Sequence, residues 1–271
     1  MIDGWFLNVR SRPPMKNEDG FNFLEFPSKS GKADALIIFL HGHSNHPEMF
    51  TEIAAGLQKE WPNADVLVVR GPEPVHAPQD RKNNLHVPDV DDLYTWYKSG
   101  TKPSDGLELA LSHMFNRVPV VDELNKFADA QLKKRGLKDD NLVLYGFSLG
   151  GAIVVQMATR RPDKCAAVVA HSSPVFPIMK AKSKPDMMLL MGDQDHFFYT
   201  TDKGVKKPGK LKRAFDKAMS TISVHYEASL KRLKRAGFPT TGVLVNGLHH
   251  TMNEESFQHT VTFLKNHLKG P

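Results

Sequence analysis

At 271 residues, with 40% hydrophobic and 24% charged residues, the chain is long enough to bury a full core and reads as one large α/β domain over residues 1–271. No run approaches membrane-spanning length, Met1-Ile2-Asp3-Gly4-Trp5-Phe6 leads into polar, Pro-rich sequence instead of an apolar signal region, and the lone Cys165 excludes an intramolecular disulfide and a thiolate metal cluster; a cytoplasmic protein is the expectation. Much of the formal net charge of +6 is local, in Lys203, Lys206, Lys207, Lys210, Lys212, Arg213 and Lys217, followed by Lys231, Arg232, Lys234 and Arg235. That basic stretch is a candidate surface for weak contact with an anionic membrane. It lacks the recognition motif or interleaved aromatics that would suggest nucleic acid.

In chain order, residues 21–26 alternate like a half-buried strand, and residues 35–40 are apolar throughout, as a strand covered on both faces should be. The loop His41-Gly42-His43-Ser44-Asn45 follows. Pro47 then marks a helix start with Met49, Ile53 and Leu57 on its apolar stripe. Residues 65–69 form the next strand. The stretch 71–115, with its prolines and Leu93-Tyr94-Thr95-Trp96-Tyr97, is too long for a minimal connection and reads as a cleft-lining insertion. A helix with Val120, Val121, Leu124, Phe127, Ala128 and Leu132 ends at Gly136.

Residues 142–145 then form a short β-branched and aromatic strand that runs into Gly146-Phe147-Ser148-Leu149-Gly150, and residues 149–160 read as the helix behind it. A serine on a sharp strand-to-helix turn, with small residues two positions to either side, is how a nucleophilic hydroxyl is exposed above a sheet. Strands at 166–170, 187–191 and 242–245 follow. Between them lie a second insertion at 198–217 and a helix with Ile222, Tyr226, Leu230 and Leu233, ended by Gly237; a last helix carries Phe257, Val261, Leu264 and Leu268. Strands alternating with helices predict a mostly parallel sheet covered on both faces, with the two insertions as cap or lid-like walls at its carboxyl edge.

A serine hydroxyl needs a neutral imidazole to take its proton, and the imidazole needs a carboxylate to hold it. Gly192-Asp193-Gln194-Asp195 lies just beyond the strand 187–191, and Gly247-Leu248-His249-His250 just beyond 242–245, so both groups leave the sheet on the same edge as Ser148. Spacing leaves Asp193 or Asp195 as the acid and His249 or His250 as the base. The negative oxygen of a tetrahedral intermediate needs two donors, and the Leu149 and His43 backbone N–H groups are the candidates. No H-x-x-x-H or H-E-x-x-H pair stands beside a suitable carboxylate, so no catalytic metal is expected, and the chemistry calls for no cofactor.

Leu40-His41-Gly42, Gly146-Phe147-Ser148-Leu149-Gly150-Gly151, Gly192-Asp193-Gln194-Asp195 and Gly247-Leu248-His249-His250-Thr251-Met252 together resemble the phospholipase/carboxylesterase family of α/β-hydrolases, which includes acyl-protein thioesterases. The resemblance runs from about residue 35 to 268. It implies an α/β-hydrolase fold, Ser148 as nucleophile, Asp195 as acid, His250 as base, and His43 and Leu149 as oxyanion donors. It also implies that Trp96 and Tyr97 lie near an acyl cleft. The family most often has Gln where Leu149 stands and Gly where Ser44 stands, and this chain lengthens the basic segment after Asp195.

Attack by Ser148 on a carboxylic ester, or a thioester, of a small-molecule substrate through an acyl-enzyme is the expected reaction. Phe197, Phe198 and Met252 join Trp96 and Tyr97 as candidates to line the apolar cleft. The same groups would serve a serine peptidase or amidase. A noncatalytic protein that binds anionic partners through residues 203–235 is the alternative from another class.

Overall fold

The computed structural model describes residues 13–75, 93–97, 118–178, 180–197 and 225–268. The insertion at 198–217, Phe198, Ile222 and most of 71–115 therefore lie outside the described residues. The described residues open with a hairpin of β1 (Met15–Glu18) and β2 (Phe21–Phe26), closed by Asp19 and Gly20 at φ 50° and 86°. Both turn residues have the positive φ that a two-residue Asp-Gly hairpin demands. β3 (Ala35–Leu40) leads to a 3₁₀ turn at Pro47–Phe50, α1 (Thr51–Glu60) and β4 (Ala64–Val69). Two short strands, β5 (Glu73–Val75) and β6 (Leu93–Thr95), pair with each other outside the main sheet. Then come α2 (Pro119–Arg135), β7 (Leu142–Phe147), α3 (Leu149–Arg160), β8 (Ala167–His171), β9 (Met187–Gly192), α4 (Tyr226–Arg235), β10 (Thr240–Val245) and α5 (Glu254–Leu264).

Among the described residues the main sheet has eight strands in the order β1-β2-β4-β3-β7-β8-β9-β10. The six from β4 to β10 run parallel, and β1 and β2 add an antiparallel edge. The period of two sorts each central strand between two cores. Leu36, Ile38 and Leu40 of β3, with Leu142 and Leu144 of β7, face α2 and α3 on one side. Ile37 and Phe39, with Val143, Tyr145 and Phe147, face α1 and α5 on the other. Each buried aliphatic side chain in these layers contributes about 1.5–3 kcal/mol. β10 is the outer strand and its residues Thr241, Gly242 and Leu244 are exposed, so it lacks the unbroken apolar run of β3.

Local chemistry ends the helices where the site needs them ended. Gly136, at φ 66°, sends its N–H back to the last turn of α2, while the Leu137 N–H bonds the Leu132 carbonyl at 2.9 Å. α5 begins with a reciprocal cap: Asn253 Oδ1 accepts the Ser256 N–H and Ser256 Oγ accepts the Asn253 N–H, both at 2.9 Å. That cap fixes the far end of the loop that carries His250. Of the late basic residues, Lys231, Lys234 and Arg235 are exposed on α4, but Arg232 turns inward and donates to the Val175 carbonyl at 2.8 Å. Cys165 is buried, and burial pushes its thiol up to about 12, which leaves it unreactive.

Candidate active site

Ser148 caps α3 at φ 53°, ψ −119°, a backbone conformation that L-residues rarely hold. The flanking glycines make this turn possible. A Cβ on Gly146 would strike the Gly150 backbone, one on Gly150 would strike the carbonyls of Leu40 and His41, and one on Gly151 would lie 2.5 Å from Ser173 Cβ. The turn is held from the side by the Ser148 N–H, which donates to the His171 carbonyl at 2.8 Å.

His250 Nε2 lies 3.0 Å from Ser148 Oγ, and His250 Nδ1 lies 2.8 Å from Asp195 Oδ2. Accepting at the carboxylate requires a proton on Nδ1, which leaves Nε2 as the lone-pair side facing the hydroxyl. Asp195 has no exposed surface, and its other oxygen accepts the Phe197 N–H at 3.0 Å. The adjacent candidates go elsewhere. Asp193 Oδ1 accepts the Gly247 N–H at 2.7 Å, and the Gln194 N–H donates to the Leu248 carbonyl at 3.0 Å, so this turn laces the acid loop to the histidine loop. His249 is exposed. The imidazole of His250 sits between two aromatic rings, Phe147 at 5.1 Å and Phe197 at 4.7 Å between centroids.

The loop after β3 passes directly over the serine. A Cβ on Gly42 would lie 3.1 Å from Ser148 Cβ and 2.7 Å from Asn45 Oδ1, so only glycine lets the backbone come this close. His41 anchors the loop from below. It is fully buried, its Nε2 accepts the Gly71 N–H at 2.9 Å and its Nδ1 donates to the Gly42 carbonyl at 2.7 Å. Burial pushes His41 down to about 3, so the ring is neutral in this bonded tautomer. β6 holds the loop from the side: Tyr94 exchanges backbone hydrogen bonds with Asn45, Thr95 Oγ1 meets His43 Nδ1 at 2.9 Å, and Trp96 Nε1 donates to the His41 carbonyl at 2.7 Å. Leu149, the first residue of α3, is half-buried, and its N–H is among the four that a helix start leaves without an intrahelical acceptor.

The residues expected to line a cleft divide. Trp96 is 1% exposed and Met252 2% exposed, so both are packing residues with almost no surface to offer a ligand. Tyr97 is half-buried against the core, and burial raises its phenol. Phe197, 57% exposed, keeps open surface beside the His250 ring. The roles of His41 and of β6 were missed from the sequence; His41 two residues before the expected donor His43 was the available signal. Among the described residues, no group of three His, Cys, Asp or Glu side chains could hold a metal ion.

The sequence matches the alpha/beta hydrolase fold family over residues 35–266. The chain is an α/β-hydrolase. No curated protein matches it. Among solved structures, this α/β-hydrolase is similar to esterase PE8, with TM-score 0.69 and 17% identity over 92% of this chain and 99% of that one. A carboxylesterase from Mesorhizobium loti matches with TM-score 0.63 and 13% identity over 94% and 99%. Arabidopsis thaliana SOBER1 matches with TM-score 0.58 and 17% identity over 87% and 99%. At these identities the likeness is one of fold. No helix among the described residues of the α/β-hydrolase is long and apolar enough to cross a membrane.

Proposed function

We propose that this α/β-hydrolase is a serine esterase of the phospholipase/carboxylesterase type, which cleaves carboxylic esters and, by the same steps, thioesters. One observation carries the reading: the continuous chain from Ser148 Oγ through His250 to the buried Asp195, at 3.0 and 2.8 Å, on a strained turn under a glycine loop. His250 takes the Ser148 proton as Oγ attacks the acyl carbonyl. The oxyanion of the tetrahedral intermediate is received by the Leu149 and His43 backbone N–H groups. His250 then gives its proton to the leaving alkoxide or thiolate, and a water activated by His250 releases the acid and restores Ser148. Asp195 holds the imidazole and balances its charge. That two of the similar structures are an esterase and a carboxylesterase supports an ester as the substrate.

The test is hydrolysis of p-nitrophenyl esters from acetate to palmitate by the native chain and by Ser148→Ala. The proposal expects turnover in the native chain at some acyl length, reduced at least about 10³-fold in the variant. No turnover at any length, or equal turnover in both proteins, would contradict it. Parallel acyl-thioester substrates then rank thioester against ester.

A further inference from the structure

β8 ends in register beside the strand that carries the serine, with His171 opposite Phe147. The backbone there is clamped on both sides: the His171 carbonyl accepts the Ser148 N–H at 2.8 Å, and the Ser172 N–H donates to the Leu190 carbonyl at 2.7 Å. Ser172 leaves the strand at φ 46°, so His171 is the last residue held by the sheet before a strained turn. Its imidazole is fully buried. The ring is parallel to that of Tyr145 (7°, centroids 6.5 Å apart), its Nδ1 lies 3.3 Å from the Tyr145 hydroxyl, and it meets Phe147 edge-on at 5.8 Å. Phe147 in turn supports the His250 ring.

An imidazole in this core pays a desolvation cost that the aliphatic residues of the same strand avoid. Burial, aided by the nearby His250, pushes His171 down to about 3 against the opposing pull of the Thr251 backbone and Asp195. The ring is therefore neutral, a donor at one nitrogen and an acceptor at the other. Its Nδ1 is held against the Tyr145 hydroxyl, and its Nε2 is buried without a close hydrogen bond. The backbone of Thr251, the residue next to His250, lies near enough to act on the ring and favours its protonated form.

We propose that His171 is a positioning residue for His250: a buried crosspiece between the ends of β7 and β8 and the histidine loop, which keeps His250 Nε2 on Ser148 Oγ. It rests on the serine-esterase reading above and acts on the same reaction without touching the substrate. Displacement of a reacting group by a fraction of an ångström lowers the rate while leaving substrate binding almost unchanged.

The test compares the native chain with His171→Leu, His171→Gln and Tyr145→Phe, with Ser148→Ala as the blank. Hydrolysis of p-nitrophenyl butyrate is measured per active site titrated with a fluorophosphonate, together with thermal melting. His171→Leu is expected to lower kcat per titrated site by about tenfold or more with KM within about twofold, and to slow phosphonylation of Ser148 by a similar factor. His171→Gln, whose amide reaches the Nε2 position, recovers most of that loss. Tyr145→Phe, which removes the hydroxyl shared by His171 Nδ1 and Thr260, loses about two- to fivefold in kcat. A merely structural His171 would lower Tm and the titratable fraction but leave kcat per site native; that result, or a loss that Gln does not relieve, would overturn the proposal. If His171→Leu does not fold, native kcat per site in Tyr145→Phe overturns it. A native chain no more active than Ser148→Ala would instead remove the esterase reading and leave the positioning role without a reaction to serve.

Discussion

The two ends of the central sheet solve opposite problems. At the carboxyl edge, β7 and β8 each run into a serine with positive φ, Ser148 at 53° and Ser172 at 46°, and the loop after β3 holds a third, Ser44 at 53°. Of the four non-glycine residues with positive φ among those described, only Asp19 in the first hairpin lies elsewhere. The same edge buries two neutral imidazoles, His41 and His171, and the carboxylate of Asp195. At the amino edge the charges are paired outright. Arg135, at the end of α2, meets both Asp65 and Glu25 at 2.6 Å, and Asp65 also accepts the Ser28 N–H at 2.7 Å. Arg161, just past α3, meets Asp129 at 2.6 Å and pairs with Asp139. One end carries backbone strain and buried polar groups in order to aim side chains, and the other ties helices back to strands. Substitutions at the first should therefore cost rate, and at the second stability.

The largest effect should come from Asp195→Asn, which keeps the shape but loses the charge and the correct imidazole tautomer. It is expected to lower kcat about 10⁴-fold with little change in melting temperature. Asp193→Asn, two residues away, touches only the loop lacing and should lose less than about tenfold. Equal losses in the two variants would break the distinction drawn between these carboxylates. Arg135→Met at the amino edge should do the reverse. It removes the guanidinium shared by two largely buried carboxylates, leaving Glu25 with Lys16 and Asp65 with the Ser28 N–H, and should cost about 1–3 kcal/mol in urea unfolding with kcat per titrated site unchanged. A large fall in kcat per site would show that the two ends are not separable.

Acid gives the smallest and most graded test. His41 and His171 hold folded values of about 3, whereas an unfolded histidine titrates near 6.5. The unfolded chain therefore binds more protons below that pH, so stability is fully present above about 6.5 and declines as pH falls toward 3, by up to about 1.4 kcal/mol per pH unit for each ring. Unfolding free energies at pH 7.5, 6 and 5 measure the slope, and His171→Gln should remove about one proton of it. An unchanged slope in that variant would mean that His171 is not held neutral in the fold.

The layering of this molecule was readable because burial on both faces imposes an unmistakable pattern. Residues 35–40 and 142–147 have to be apolar, and the glycines around Ser148 have to be small. That Ser148, Asp195 and His250 would meet at one edge was readable for a related reason, since each lies on the loop that leaves a strand's carboxyl end. What escaped was set by pairing rather than by composition. β1 has only four residues and mixed polarity, although Asp19-Gly20 marks the hairpin that creates it. β6 is three residues long, and its importance lies in which loop it meets, a contact 52 residues distant in sequence. Trp96 illustrates the limit: an aromatic near a cleft motif suggests a ligand contact, yet its indole N–H is spent on the His41 carbonyl. His171 was invisible for the same reason, as nothing in Ala170-His171-Ser172 announces that the ring will stand behind the His250 loop.

The central claim is that Ser148 is a hydroxyl activated by His250 and Asp195, and covalent trapping addresses it most directly. The native chain is treated with a fluorophosphonate, its intact mass is measured and the adduct is mapped by peptide fragmentation. The account predicts one adduct, located on Ser148, absent from Ser148→Ala and formed far more slowly in His250→Ala. A native chain that gains no adduct, or one whose adduct persists in Ser148→Ala, would contradict it.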